Sequence, residues 1–369
     1  MRKSIGLFYK PNTFFMLYFL FLLPVYLYSN PFFFEVPPPQ TDQGDFFKKI
    51  EESIHKSHIL ENINNLFEEE KKEFSLSELE LLDLKNHLFK RLLRGVNQHL
   101  FSQNQKAELV KIHKGSSCCI VTTVDGSTNR NPELISQMIK NLDALGFNGY
   151  LYYRIAGFPN PTGKEIQYAS IPYSFKIFLM LEAYKIGFKE ILWVDSRLMP
   201  IKGIEPIFDV IKKHHAFLVK DKIMMRANFL SRALVTLTTL TGVNPLNHYR
   251  IATPVFGLDF SFSTNLEVLK KYYECCDTGY PFLSVFPEEH VLSSIFARYQ
   301  KTFPFIDSLT SSKFKNLWLY DEDISLEESL KKAQKKQFFF FGLGNKSQFQ
   351  LSELQLEKKI HKTRNSLFS

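Results

Sequence analysis

From Ser116 onward, short apolar runs alternate with stretches whose apolar positions recur every three or four residues. The runs 118–124, 150–155, 190–194 and 216–219 read as strands, and 251–258 is strand-like. Between them, 132–145, 173–186 and 204–213 read as amphipathic helices, and 229–240, 266–275 and 288–299 continue the helical pattern. A loop rich in Gly, Pro and Asn, 157–163, follows the second strand. Alternation at this spacing predicts βαβ units, hence an α/β domain with a mainly parallel sheet flanked by helices. The run 338–341, four phenylalanines, is too short to span a membrane and reads as a buried edge strand.

The chain before this domain is patterned differently. Arg2, Lys3 and Lys10 precede an apolar run of about 15 residues up to Tyr28, short of the roughly 20 that a span needs. Residues 1–34 therefore read as a signal peptide or a membrane anchor, and the protein as secreted or membrane-anchored. Residues 35–44 hold Pro37, Pro38 and Pro39 and read as a stiff linker. The region 45–115 is rich in Glu, Lys, Leu and His. Leu81, Leu84, Leu88 and Leu92 share one face there, and Ser77 with Glu80 makes a capping box, so it reads as an N-terminal helical extension. The α/β domain runs over 116–345, and 346–369 is a charged tail.

Composition narrows the picture only a little. A chain of 369 residues, 44% of them hydrophobic, can bury one large core and a smaller accessory one. The net charge of +8 is spread along the chain, whereas a nucleic-acid stripe needs clustering, so no nucleic-acid partner is expected. The cysteines come as two adjacent pairs, Cys118–Cys119 and Cys275–Cys276, with no metal-ligand spacing. They read as small buried hydrophobes. Neither a G-x-G-x-x-G nor a G-x-x-x-x-G-K-[ST] loop is present, which argues against a P-loop or a standard dinucleotide site.

The most informative stretch is Lys-Glu-Ile-Leu-Trp-Val-Asp-Ser-Arg, in which an apolar strand ends on Asp195. An acid there points into the crevice where open α/β sheets bind ligands, and it can hold a metal ion or a sugar hydroxyl. Arg197, two positions on, can pair with phosphate through its planar fork. Lys176, at the start of the preceding helix, can reach a phosphate or be a solvated helix lysine. Gly257 permits close approach of backbone to a ligand, or a bend in its strand. His214 and His215 cap the end of a helix.

Three blocks, Ser-Ile-Pro-Tyr-Ser-Phe-Lys ending at Lys176, Ile-Leu-Trp-Val-Asp-Ser-Arg ending at Arg197, and Ile-Glu-Pro-Ile-Phe-Asp ending at Asp209, resemble a bacterial glycosyltransferase-like family of GT-A type. Thr-Pro-Val-Phe-Gly-Leu-Asp from Thr253 and Glu-Glu-His-Val-Leu-Ser-Ser from Glu288 follow in that family's order, so the likeness covers 116–304. The resemblance implies a nucleotide-sugar donor lying across the strand ends and a glycan or lipid-linked hydroxyl as acceptor. It implies Thr123 and Asp125 near the nucleoside, Arg197 and Lys176 near the diphosphate, and Glu289 as the base that deprotonates the acceptor. It further implies Mn²⁺ or Mg²⁺ on Asp195. Such enzymes pair that acid with a second one two positions later, and this chain has Arg197 there, which would make transfer metal-independent. The alternative is a catalytically inactive sugar-binding or interaction module on the same fold.

Overall fold

The computed structural model describes residues 107–124, 133–155, 157–169, 171–225, 230–284, 286–307, 311–320 and 326–343. The leader, the linker, the helical stretch up to residue 106, the tail from residue 344 and Asp125 lie outside the described residues. The elements, in chain order, begin with β1 (Glu108–Ile112), β2 (Cys118–Val124), α1 (Glu133–Ala144), β3 (Gly149–Ile155), α2 (Phe175–Lys185), β4 (Glu190–Val194) and β5 (Leu198–Pro200). Next come α3 (Glu205–His214), β6 (Ala216–Phe217), β7 (Val219–Met224), α4 (Ser231–Thr241), β8 (Tyr249–Ile251) and β9 (Val255–Asp259). The last are α5 (Ser263–Thr278), α6 (Pro287–Arg298), β10 (Ile306–Asp307), β11 (Trp318–Tyr320), α7 (Leu326–Lys335) and β12 (Phe340–Gly342).

The protein is α/β. Its main sheet has the order β1-β3-β2-β4-β9-β6. All seven residues of β2 are buried, as a strand covered on both faces requires. β2 pairs in parallel with β3 and with β4, placing Val121 opposite both Tyr152 and Trp193. The sheet is mixed rather than mainly parallel, because β9 runs against β4 and β6, and β1 against β3. The chain enters β9 from β8 of another sheet through Ala252, Thr253 and Pro254, with no helix between the two strands. The strand expected over 251–258 is therefore two strands broken at Pro254. β1 is likewise a strand inside the stretch expected to be helical.

Each face of the sheet has its own core. On one side, Leu134, Ile135, Met138 and Leu142 of α1, with Ile207, Phe208 and Ile211 of α3, cover Ile120, Leu192 and Val194. The sheet β11-β12-β5 packs into this core through Phe339, Phe340 and Phe341, so β12 is a central strand and not the edge expected for the phenylalanine run. On the other side, α2 lies beneath α5 and α6 and covers Val121, Ile191 and Trp193. Seven consecutive residues of α2, Phe175 to Leu181, are buried, the pattern of a helix enclosed all round. The four cysteines are free and buried.

The order of connections positions the site. From β2 the chain crosses through α1 to β3 on one side, then returns through α2 to β4 on the other. The direction of winding therefore switches between β2 and β4, and the crevice beyond their carboxyl ends is where such a sheet receives a ligand. A third sheet, β10-β7-β8, supplies side chains to that end.

Candidate functional site

Asp195 leaves β4 on a tight turn. Its N–H donates to the Pro254 carbonyl at 2.8 Å, and its own carbonyl accepts from Leu198 N at 2.8 Å. The Trp193 indole donates to Asp195 Oδ1 at 2.8 Å, so the last aromatic residue of the strand fixes the carboxylate that follows it. The side chain is 18% exposed, neither sealed nor free.

Lys176 faces this carboxylate from the first turn of α2. Its ammonium lies 3.1 Å from Asp195 Oδ1 and 3.0 Å from Glu288 Oε1, and it donates to the Thr253 carbonyl at 3.3 Å. The Tyr173 and Trp193 rings stand 5.5 Å from it on the face of each ring. Tyr173 reaches that position with φ 62°, a left-handed conformation uncommon for a bulky residue. Burial alone would discharge this lysine. The Asp195 and Glu288 carboxylates outweigh that penalty and hold its pKa above the usual lysine value. Lys176 is therefore a permanent buried cation and not a solvated helix lysine.

Beyond Lys176 the charges continue. The Thr253 hydroxyl, fully buried, donates to Glu288 Oε1 at 3.1 Å and lies 3.4 Å from Glu289 Oε1. Glu289 Oε2 is 3.0 Å from Arg250 Nη1. Arg250 projects from β8, rests its guanidinium 3.8 Å over the Phe286 ring, and donates Nε to Asp221 Oδ2 on β7 at 3.1 Å. Along this chain of contacts the carboxylates of Asp195, Glu288, Glu289 and Asp221 are interleaved with the Lys176 and Arg250 cations. At Glu289, burial first and the Glu288 carboxylate second raise the pKa to about 7, against the pull of Arg250 and Lys176. A proton on Glu289 would let it donate to Thr253 Oγ1 while Thr253 donates to Glu288. At neutral pH this group is poised to give or take a proton.

Asp195, Lys176 and Glu289 are brought together; the other expected site residues are not all with them. Thr123 lies at the end of β2 but donates its hydroxyl to the Arg154 carbonyl at 3.1 Å, a bond within the sheet. Arg197 is half-buried on the Asp195 turn, and its carbonyl accepts from Leu343 N at 2.9 Å, tying the turn to the end of β12. Gly257 sits within β9, where an added Cβ would come 2.3 Å from Ile211 Cδ1, so packing against α3 accounts for the glycine. His290 faces inward, with Nδ1 3.0 Å from Ser284 Oγ. His215 takes the left-handed cap position after α3 and pairs with Asp259 Oδ2 at 3.0 Å.

Arg250, Asp221 and the role of Thr253 escaped the sequence reading. An arginine flanked by Ile251 in a short apolar strand was the available signal, since a buried guanidinium requires a carboxylate partner. Two buried hydroxyls at the strand ends, Thr122 Oγ1 and Ser196 Oγ, have no hydrogen-bond partner among the described residues. Both lie beside the β2–β4 switch point.

The described residues around Asp195 do not fit a divalent cation. Among the described residues no group of three or more His, Cys, Asp or Glu side chains is arranged to hold one. Asp195 Oδ1 already accepts from Trp193 and faces Lys176, whose ammonium takes the place between two carboxylates that a metal would need. No protein-family model matches the chain, and a search of curated proteins finds no match.

Proposed function

We propose that the chain is a glycosyltransferase-like protein of GT-A type, moving a sugar from a nucleoside diphosphate to a hydroxyl of a glycan or lipid-linked acceptor. The observation that carries this reading is a rim carboxylate, Asp195, at the switch point, joined through Lys176, Glu288 and Thr253 to a second buried carboxylate, Glu289. Asp195 would orient donor hydroxyls and Arg197 would meet the diphosphate. Glu289 would take the acceptor proton as the new C–O bond forms, while the bond from sugar to diphosphate breaks and its electron pair leaves with the phosphate. Lys176 would act by holding Asp195 and Glu288 in place, since its ammonium is already engaged. Thr123 and Asp125 remain proposed donor contacts, with Thr122 and Ser196 offering hydroxyls that have no hydrogen-bond partner among the described residues.

The same buried lysine favours a second reading, a sugar-binding or interaction module without transfer activity, because it neutralises the carboxylates in advance. A panel of nucleotide sugars screened by thermal shift, followed by donor hydrolysis with and without Mn²⁺, separates the two. Transfer predicts turnover that Asp195→Ala and Glu289→Gln abolish. Binding without turnover supports the module, and no shift with any donor refutes transfer.

A further inference from the structure

The strands β10, β7 and β8 divide two different chemistries. Adjacent residues of a strand point to opposite faces. Asp221 and Arg250 therefore face Glu289, while their neighbours Lys220 and Tyr249 face the other way. There the Lys220 ammonium stands 3.7 Å from the centre of the Tyr249 ring and 3.7 Å from Asp307 Oδ2. These side chains line a cavity of about 440 Å³ that Asn247, Gln300 and Phe305 help to complete. Its volume falls within the roughly 300–1,000 Å³ of small-ligand clefts. Neither Asp195, Lys176 nor Glu289 lines it.

We propose that this cavity binds a neutral sugar residue of a glycan. Tyr249 is 39% exposed, and it is the aromatic one among the large apolar side chains exposed in the described residues. Lys220 holds the ring through a cation–π contact, which lowers the entropy cost of offering it to a ligand. A pyranose presents a face of C–H groups that packs on an aromatic ring, and a rim of hydroxyls that both donate and accept. The Asn247 and Gln300 amides do both as well, and Asp307 adds acceptors. Among the described residues that line it, Lys220 stands against Asp307, and His248 adds an imidazole that offers a donor or an acceptor to a hydroxyl. The shape and polarity suit an uncharged polyol better than a phosphate.

The inference stands apart from the proposed transfer reaction. Maltotriose, cellotriose and chitotriose are titrated into the full-length chain, with binding read by saturation-transfer NMR and calorimetry. At least one is expected to bind saturably. Tyr249→Ala weakens that binding about tenfold, Gln300→Ala weakens it less, Val235→Ala, at an exposed position outside the cavity, leaves Kd unchanged, and inorganic phosphate does not compete. Both cavity variants alter exposed side chains, and an unchanged Tm shows that they fold. The proposal is overturned if none of the three sugars binds, if phosphate displaces the bound one, or if binding survives Tyr249→Ala.

Discussion

Lys176 and Asp195 form a buried ion pair at 3.1 Å in which the cation is the deeper partner: its side chain is 4% exposed and that of the acid 18%. The ammonium is satisfied on the protein side and the carboxylate keeps an edge toward solvent. Asp195 is thus the solvent-facing member and Lys176 its support.

Removing the cation should be costly. Lys176→Met leaves Asp195 and Glu288 facing each other without the ammonium between them, and a loss of roughly 3–5 kcal/mol is expected from breaking such a pair. Urea unfolding followed by fluorescence measures it. The double variant Lys176→Met, Glu288→Gln should recover part of the loss, and an equal or larger deficit in the double variant would count against the pairing.

Stability should fall as pH rises through neutrality. The Glu289 carboxyl has its folded pKa raised to about 7, above the usual carboxylate value. The folded state therefore holds a proton that the unfolded chain has already released. Its stabilisation is complete below about pH 4 and is lost progressively up to about pH 7, a change of roughly 3–4 kcal/mol. Glu289→Gln should flatten this dependence of the urea midpoint between pH 5 and 8. In the proposed reaction the same ionisation makes turnover rise through about pH 7, because the base must be unprotonated.

Divalent cations should leave the protein unchanged. Mn²⁺ is expected to give no bound signal by electron paramagnetic resonance and no shift in Tm. Arg197→Asp places a second acid on the Asp195 turn and should create a weak Mn²⁺ site. Wild-type binding that Asp195→Asn abolishes would show that the ammonium is not the resident cation.

Gly257→Ala tests whether that glycine serves packing. Its new methyl would meet Ile211 Cδ1 at 2.3 Å and the Ile191 carbonyl at 3.3 Å. A loss of about 1–3 kcal/mol is expected from overpacking. Ile211→Val in the same chain should restore part of it, an interaction read from the double-mutant cycle.

The parts of the fold legible in the sequence were those set by local pattern. The expected strands at 118–124 and 190–194 coincide with β2 and β4, because unbroken apolar runs bounded by polar turns leave little alternative for a strand buried on both faces. The position of Asp195 followed from the end of such a run. Direction and pairing were not legible. The reversed β9 pairs with β4 and β6 in a sheet that β8, the strand before it, does not join, and the central place of β12 depends on β5 and β11 meeting it from distant parts of the chain. The burial of Lys176 was hidden for the same reason: its helix is enclosed by α5 and α6, and no residue near it in sequence signals Glu288 as a partner. Arg250 and Asp221 were missed because their pairing joins two short strands that sequence reading merged with their neighbours.

The wiring of the Lys176 cluster also bears on how the chain folds. Its ammonium meets Asp195 at the end of the next strand, but a carbonyl 77 residues away and a carboxylate on α6 complete it. Until α6 arrives, dehydrating α2 would bury a partly paired cation, and a half-assembled second core stays wet. Late docking of α6 should therefore be the step that commits the molecule, giving a single sharp transition where two loosely joined halves would otherwise melt apart.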